Sequence, residues 1–233
     1  MKDEYLQRTI GLIGKEDYET ISHLLVALIG LGGVGGTALE SLVRSGIKHL
    51  LIIDFDKVDP SNLNRQILYT EKDIGHSKVE CAKKHVLAID SSIDVTAIEA
   101  KVDSDISNIL NQYHIDFIVD AIDDVDGKIY IAKYASDNNI PSIMSLGMAN
   151  RLDPTKVIIQ RLDKTEYDPL AKKMRYLARL NNLNSKNIMT VLSLERPKSF
   201  NGTLNSMMMV PSSAGLAITN YVISYFINKN KNI

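Results

Sequence analysis

One cysteine, Cys81, stands in 233 residues. A single thiol excludes an internal disulfide framework and any C-x-x-C zinc pair. No run of about 18 apolar residues occurs, so no membrane insertion is expected. The opening Met1-Lys2-Asp3-Glu4-Tyr5 lacks the apolar stretch of a signal peptide, and a cytoplasmic location is expected. Neither sign of charge dominates: 27 Lys+Arg face 28 Asp+Glu, a net of −1. That balance excludes a global basic field for nucleic acid. The charge is unevenly spread, however. Residues 1–160 carry 16 basic against 24 acidic side chains, whereas 161–198 carry nine against four. The second stretch is a local patch able to meet a polyanion. Repeats are absent, and the Asn/Lys-rich tail 228–232 is expected to fray. With 45% hydrophobic and 24% charged residues, the remainder is that of an ordinary globular protein.

One stretch organises the chain. Val26-Ala27-Leu28-Ile29 enters it, Gly30-Leu31-Gly32-Gly33-Val34-Gly35-Gly36 turns it, and an amphipathic segment over 37–45 leaves it. That order is strand, tight turn, helix. Gly30, Gly32 and Gly35 fit G-x-G-x-x-G, in which the first glycine turns the chain, the second admits a phosphate and the third lets helix pack on strand. The helix start offers free N–H groups to an anion. The alternative is a sharp turn that binds nothing.

A second strand, 49–55, is apolar on both faces and ends in Asp54-Phe55-Asp56. Asp54 lies about 20 residues past the glycine turn, where a carboxylate accepts ribose hydroxyls; the alternative is a turn cap. The polar segment Val58 to Gln66 then ends in Asn64-Arg65-Gln66. Ser77 is placed to cap a helix that runs to about residue 88. Lys78 in its first turn opposes the helix dipole, which makes sense if it meets a phosphate. Cys81 on the same helix reads as packing rather than as a nucleophile. Further strands are expected at 94–100, 117–122 and 142–146, with helices at 105–112 and 127–138. Asp120 and the pair Asp123-Asp124 fall at the end of the 117–122 strand, where ligands collect in open sheets. The pair suggests Mg²⁺ held partly by phosphate oxygens, or a helix cap, and the two roles can coexist on different residues.

Residues 147–210 change character. A turn-rich loop (147–154) leads to a strand at 156–162. Asp168-Pro169 opens a basic helix over 170–180 carrying Lys172, Lys173, Arg175 and Arg179. A strand at 188–193, a long loop at 195–206 and an apolar helix over 211–226 follow. The arm 1–22 holds a polar helix at 16–21 and a lone arginine, Arg8. The whole reads as one α/β domain, Rossmann-like. Its sheet is mostly parallel, with helices on both faces and additional antiparallel C-terminal strands. The arm precedes a nucleotide-binding core at 23–146 and substrate or dimer elements at 147–233.

Taken together, Gly30-Leu31-Gly32-Gly33-Val34-Gly35, Asp54-Phe55-Asp56, Asn64-Arg65-Gln66, Lys78 and the acids from Asp120 to Asp124 resemble the adenylating enzymes related to ubiquitin activation. That superfamily includes the molybdopterin and thiamine adenylyltransferases. Gly147-Met148-Ala149-Asn150-Arg151-Leu152-Asp153-Pro154-Thr155, Asp168-Pro169-Leu170-Ala171-Lys172-Lys173-Met174-Arg175 and Val210-Pro211-Ser212-Ser213-Ala214-Gly215 are similar to its branch of tRNA threonylcarbamoyladenosine dehydratases. Ala149 departs from the glycine of that branch, and the loop 200–206 is longer, with more methionine around it.

The resemblance implies ATP across Gly30, Gly32, Gly33 and Gly35, with Asp54 on the ribose and Asp56, Asn64, Gln66 and Asp120 lining the site. Arg65 and Lys78 would bind the triphosphate, and Asp123 would hold Mg²⁺. Arg8 would reach into the neighbour's site in a homodimer. The substrate would be tRNA, contacted by the basic helix with Arg151 and Arg161, and a sulfur-relay partner protein is a further implied contact. An adenylyltransferase acting on the C-terminus of a small carrier protein is the alternative. A dinucleotide-dependent redox protein is disfavoured, because hydride transfer has no need of Asn64-Arg65-Gln66.

Overall fold

The computed structural model describes residues 4–198 and 203–229. Most of the 228–232 tail lies outside the described residues, as do 1–3 and positions 199–202 of the long loop.

Strand β1 (Leu25–Ile29) pairs in parallel with β2 (His49–Asp54) on one side and β4 (Phe117–Asp120) on the other. Outside them, β3 (Asp94–Glu99) joins β2 and β5 (Ser142–Ser145) joins β4, again in parallel. β7 (Met189–Ser193) continues parallel to β5, and β6 (Val157–Arg161) closes the edge antiparallel to β7. Among the described residues the sheet order is β3-β2-β1-β4-β5-β7-β6. The expected Rossmann-like α/β architecture is present. The expected antiparallel C-terminal strands are β6 and β7.

The central strands are buried on both faces, so each face needs a cover. Val26 and Leu28 point to one side, against α3 (Gly33–Ser45), α4 (Lys78–Ile89) and α8 (Met209–Lys229). Ala27 and Ile29 point to the other, with Leu51 and Ile53, against α5 (Ile106–Leu110) and α6 (Val125–Asp137). This period-two split is the strand's own geometry. A third cluster seats α7 (Pro169–Leu180) through Ala171, Met174 and Ala178 against Met144 and Leu192. α8 meets α3 backbone to backbone: a Cβ on Gly215 would lie 2.6 Å from the Val34 carbonyl oxygen.

Several boundaries move. α3 begins at Gly33 rather than 37, and α8 at Met209 rather than 211. α2 (Lys15–Ser22), read from its sequence as a polar helix, buries Tyr18 and Ile21. A further helix, α1 (Gln7–Ile13), precedes it and carries Arg8. Ser77 occupies the cap position of α4, yet its side chain makes no capping bond. The α4 N-terminus is instead tied down by the Lys78 N–H, which donates to the Asp56 carbonyl at 3.0 Å.

The segment before α1 is fastened by a three-residue latch. Tyr5 Oη donates to Asp90 at 3.0 Å, and Lys48 Nζ lies 2.6 Å from the same carboxylate. Burial raises the Asp90 carboxyl, but bonds from Lys48, Ser92 and Tyr5 outweigh it and hold the group far below the usual carboxylate range. A depressed folded-state value contributes stability above the unfolded value of about 4, and that stability is lost as pH falls through the folded value. Asp90→Asn should therefore lower the thermal midpoint at about pH 7 and cost less at about pH 3. Calorimetry at the two pH values checks this; an equal loss at both would contradict it.

Candidate nucleotide site

The site is built where β1, β2 and β4 end, at their C-terminal edges, the usual ligand edge of such a sheet. Gly30 takes φ +93°, and a Cβ there would lie 2.7 Å from the Ala121 carbonyl carbon. The turn thus presses on the backbone that leaves β4. A Cβ on Gly35 would lie 1.8 Å from the Gly30 carbonyl oxygen, so helix and turn touch through a hydrogen. Gly32 differs. The nearest atom to its hypothetical Cβ is Gln66 Nε2 at 3.9 Å, which leaves room for a ligand against the backbone. Gly32 caps α3 without a side-chain bond, so the first N–H groups keep their capacity for an anion. Gly33 lies against the Arg65 stem and Pro211.

Asp54 holds the turn closed. The Leu31 N–H donates to its Oδ2 at 2.6 Å and the Asp56 N–H to its Oδ1 at 2.8 Å. Burial raises its carboxyl, more than the Lys78 charge and the two N–H bonds lower it. The buried Tyr69 hydroxyl donates to the Leu31 carbonyl at 3.0 Å, fixing the same residue from its other side. Lys78 is buried and pairs with the half-exposed Asp56 at 2.7 Å.

The Asn64-Arg65-Gln66 segment follows a single turn at Pro60–Asn62, closed by a capping box between Asp59 and Asn62. Arg65 Nη1 donates to the Ser61 carbonyl at 2.8 Å and to Asn64 Oδ1 at 2.9 Å. Gln66 is buried, and its Oε1 has no partner among the described residues; nor does the Ser77 hydroxyl. A buried polar atom without a partner, on a side chain beside the open glycine turn as Gln66 is, is what a nucleotide site leaves for its ligand.

The acids after β4 divide. Asp124 caps α6, accepting the Gly127 N–H at 2.7 Å, and Asp123 is exposed. Among the described residues no group of three His, Cys, Asp or Glu side chains is placed to hold a metal ion. Asp120 faces inward. Its Oδ1 pairs with Lys128 Nζ at 2.8 Å, its Oδ2 has no partner among the described residues, and burial raises its carboxyl against the pull of Lys128. Lys128 was not foreseen. It sits eight residues beyond Asp120 on α6, among the buried Gly127, Ile129, Ile131 and Ala132.

Arg8 is exposed on α1, with no hydrogen bond or ion pair to another described residue. Cys81 is buried, and burial pushes its thiol up, in keeping with a packing role. On α7 the Lys172, Lys173 and Arg179 side chains are exposed, and the Arg179 guanidinium stacks 5.7 Å from the Tyr176 ring. Arg175 instead folds back onto Thr165. Arg151, expected on the tRNA surface, is instead buried, 3.1 Å from Asp168, and donates to the Glu195 carbonyl. Asp168 also caps α7 through the Ala171 N–H, so one buried carboxylate serves both partners. Arg161 is engaged by Asp163. Ala149, the departure from glycine, is absent from the positive-φ positions and so carries no backbone strain. A cavity of about 480 Å³ lined by Tyr18, His23 and His49 lies at the opposite end of β2 from the glycine turn.

The sequence profile of the ThiF family matches residues 6–199. A tRNA threonylcarbamoyladenosine dehydratase of Bacillus subtilis is 36% identical over 185 residues, covering 79% of this chain and 72% of that protein. Dehydratase 2 of Saccharomyces cerevisiae is 34% identical over 82% of this chain, which spans only 43% of the yeast protein. Among solved structures, the Escherichia coli tRNA N6-threonylcarbamoyladenosine dehydratase TcdA, in complex with ATP, superposes with a TM-score of 0.93 at 28% identity, over 99% of this chain and 96% of that one.

Proposed function

The chain belongs to the ThiF family, and from that premise we propose that it is an ATP-dependent dehydratase closing the threonylcarbamoyl side chain of a tRNA adenosine into its cyclic hydantoin form. The observation that carries this is the whole-length likeness to a dehydratase solved with ATP.

In this reading the phosphates of ATP meet the N-terminus of α3 across Gly30, Gly32, Gly33 and Gly35. Asp54 serves the ribose, Asp56, Asn64 and Gln66 line the site, and Asp120 braces the strand end beside it. Arg65 and Lys78 stabilise charge growing on the α-phosphate and on departing pyrophosphate. The orphan Gln66 Oε1 and Ser77 hydroxyl support a ligand at this place. Asp123, the acid left free by Asp124, would hold Mg²⁺ together with phosphate oxygens and water, and the ion would neutralise phosphate charge. The exposure of Arg8 supports its reaching a neighbour's site in a homodimer.

A carboxylate is a poor electrophile, so it is first activated. Its oxygen attacks the α-phosphorus of ATP and pyrophosphate leaves. The carbamoyl nitrogen then attacks the acyl carbon, loses its proton, and AMP departs with the C–O bond pair. The sum is loss of one water from the nucleoside and cleavage of ATP to AMP and pyrophosphate. The second attack is intramolecular, so proximity supplies much of its rate. No thiol takes part, which agrees with the buried Cys81.

The test is to incubate the protein with ATP, Mg²⁺ and tRNA bearing threonylcarbamoyladenosine, digest the tRNA and weigh the nucleosides. ATP-dependent loss of one water supports the proposal. AMP formation only with a Gly-Gly-tailed carrier protein would move the chain to the carrier-activating branch.

We assign the tRNA backbone to the exposed face of α7. Replacing Lys172, Lys173 and Arg179 together with glutamine should flatten the slope of log affinity against log salt by about 2–3, at about 0.7–0.9 per phosphate contact. Fluorescence anisotropy over a salt series reads this; an unchanged slope would remove α7 from the interface.

A further inference from the structure

Asn150 makes more hydrogen bonds than a turn requires. It holds a positive φ of 61°, and all four of its backbone and side-chain polar groups are bonded, three of them to Thr203 and Asn205 and one to Lys198. Its N–H donates to the Asn205 carbonyl at 2.7 Å, and its carbonyl accepts the Lys198 N–H at 2.8 Å. Its Nδ2 donates to the Thr203 carbonyl at 3.1 Å, and its Oδ1 accepts the Asn205 N–H at 2.7 Å. One residue further along, the Ser206 carbonyl accepts the Asn64 amide at 2.9 Å. That bond fixes which way the Asn64 amide faces, because an amide whose nitrogen is engaged presents its oxygen oppositely. The oxygen meets Arg65 Nη1 at 2.9 Å.

We propose that Asn150 is a positioning residue for Arg65, acting through Thr203–Ser206 and Asn64. The chain of bonds is continuous: Asn150 holds the segment, the segment aims Asn64, and Asn64 and Ser61 together hold Nη1. Arg65 Nε and Nη2 are left for a ligand, since their hydrogen bonds are not used by any described residue. An arginine already aimed loses less freedom when it takes up a phosphate. The inference rests on the reading above that Arg65 meets the triphosphate. It adds that the loop after β5, remote in sequence, sets how well Arg65 does so.

Asn150→Gly is the test variant, because glycine keeps the positive φ and removes only the amide. ATP binding by titration calorimetry should weaken about tenfold in Asn150→Gly. In an Arg65→Ala background the same change should weaken ATP binding no further, since the two act on one interaction. Equal weakening in both backgrounds, or none in the native background, would overturn the positioning role. If Arg65→Ala alone leaves ATP affinity unchanged, the phosphate role of Arg65 fails first, and the inference falls with it. Should Asn150→Gly not fold, Asn150→Asp replaces it, keeping the Oδ1 acceptor for Asn205 while losing the donor to Thr203. The same two backgrounds then decide.

Discussion

Lys78→Met should lower kcat/KM for ATP-dependent AMP release by about 10²–10³-fold while leaving the fold intact. Lys78 sits at the first helical position of α4, where the dipole disfavours a cation. It is also buried, which disfavours it again. Asp56 offsets part of that cost, but Asp56 is half-exposed and shares its charge with water. A cation kept in so adverse a place makes chemical sense beside a group that gains negative charge during a reaction. Methionine preserves the stem and removes only the charge. Lys78→Arg should restore part of the rate, since the charge returns in a different shape. Steady-state AMP release checks both variants, with circular dichroism confirming the fold. A native rate in Lys78→Met would reduce Lys78 to a partner of Asp56.

Lys128→Met should be the most destabilising single change considered, at about 3–5 kcal/mol. Neither member of the Asp120–Lys128 pair is exposed to any useful degree, and Asp120 already has one oxygen without a partner. Removing the lysine leaves a buried carboxylate without its cation, held among the described residues by the Ile122 N–H alone. At about 2–4 °C per kcal/mol for a domain of 150–250 residues, the thermal midpoint should fall by roughly 6–20 °C. The sign of the pH dependence follows. Without Lys128 the buried carboxyl binds a proton on folding, so the loss should grow as pH rises above about 4. Lys128→Met with Asp120→Leu removes both charges of this pair and should recover about half the loss or more. Thermal denaturation of the two variants across pH checks this; a double variant no more stable than the single one would contradict it.

Strands were legible wherever burial is two-sided. Leu50-Leu51-Ile52-Ile53 and Phe117-Ile118-Val119 are apolar without interruption because both faces of the central sheet are covered. The glycine turn was legible because each glycine answers a contact a few residues away, Gly30 and Gly35 above all. The cap of α7 was legible for the same reason: Asp168 and Ala171 are three residues apart. What escaped depends on partners brought together by packing. Arg151 looked like a surface cation until Asp168, 17 residues on, and the Glu195 carbonyl closed on it. The burial of Lys128 depends on Asp120, which lies on β4 and outside its own helix. Asn150 belonged to a quoted motif, yet its partners lie about 50 residues downstream. α2 looked polar because Tyr18 and Ile21 are too few to mark a buried face by spacing alone.

The backbone contact of α8 with α3 has a consequence for synthesis. α3 carries the anion-binding end of the site, and its buried side includes Ala38, Leu39, Leu42 and Val43. Part of the cover for that side is α8, where Thr219 Oγ1 donates to the Ala38 carbonyl and Gly215 lets the two backbones close. The Gly-rich turn leaves the ribosome some 170 positions before residues 209–229. Through that interval α3 stands without α8, and domains fold as units once their parts are present. A nascent chain arrested before Met209 would therefore display an apolar strip along α3, a natural footing for a holding chaperone until α8 arrives.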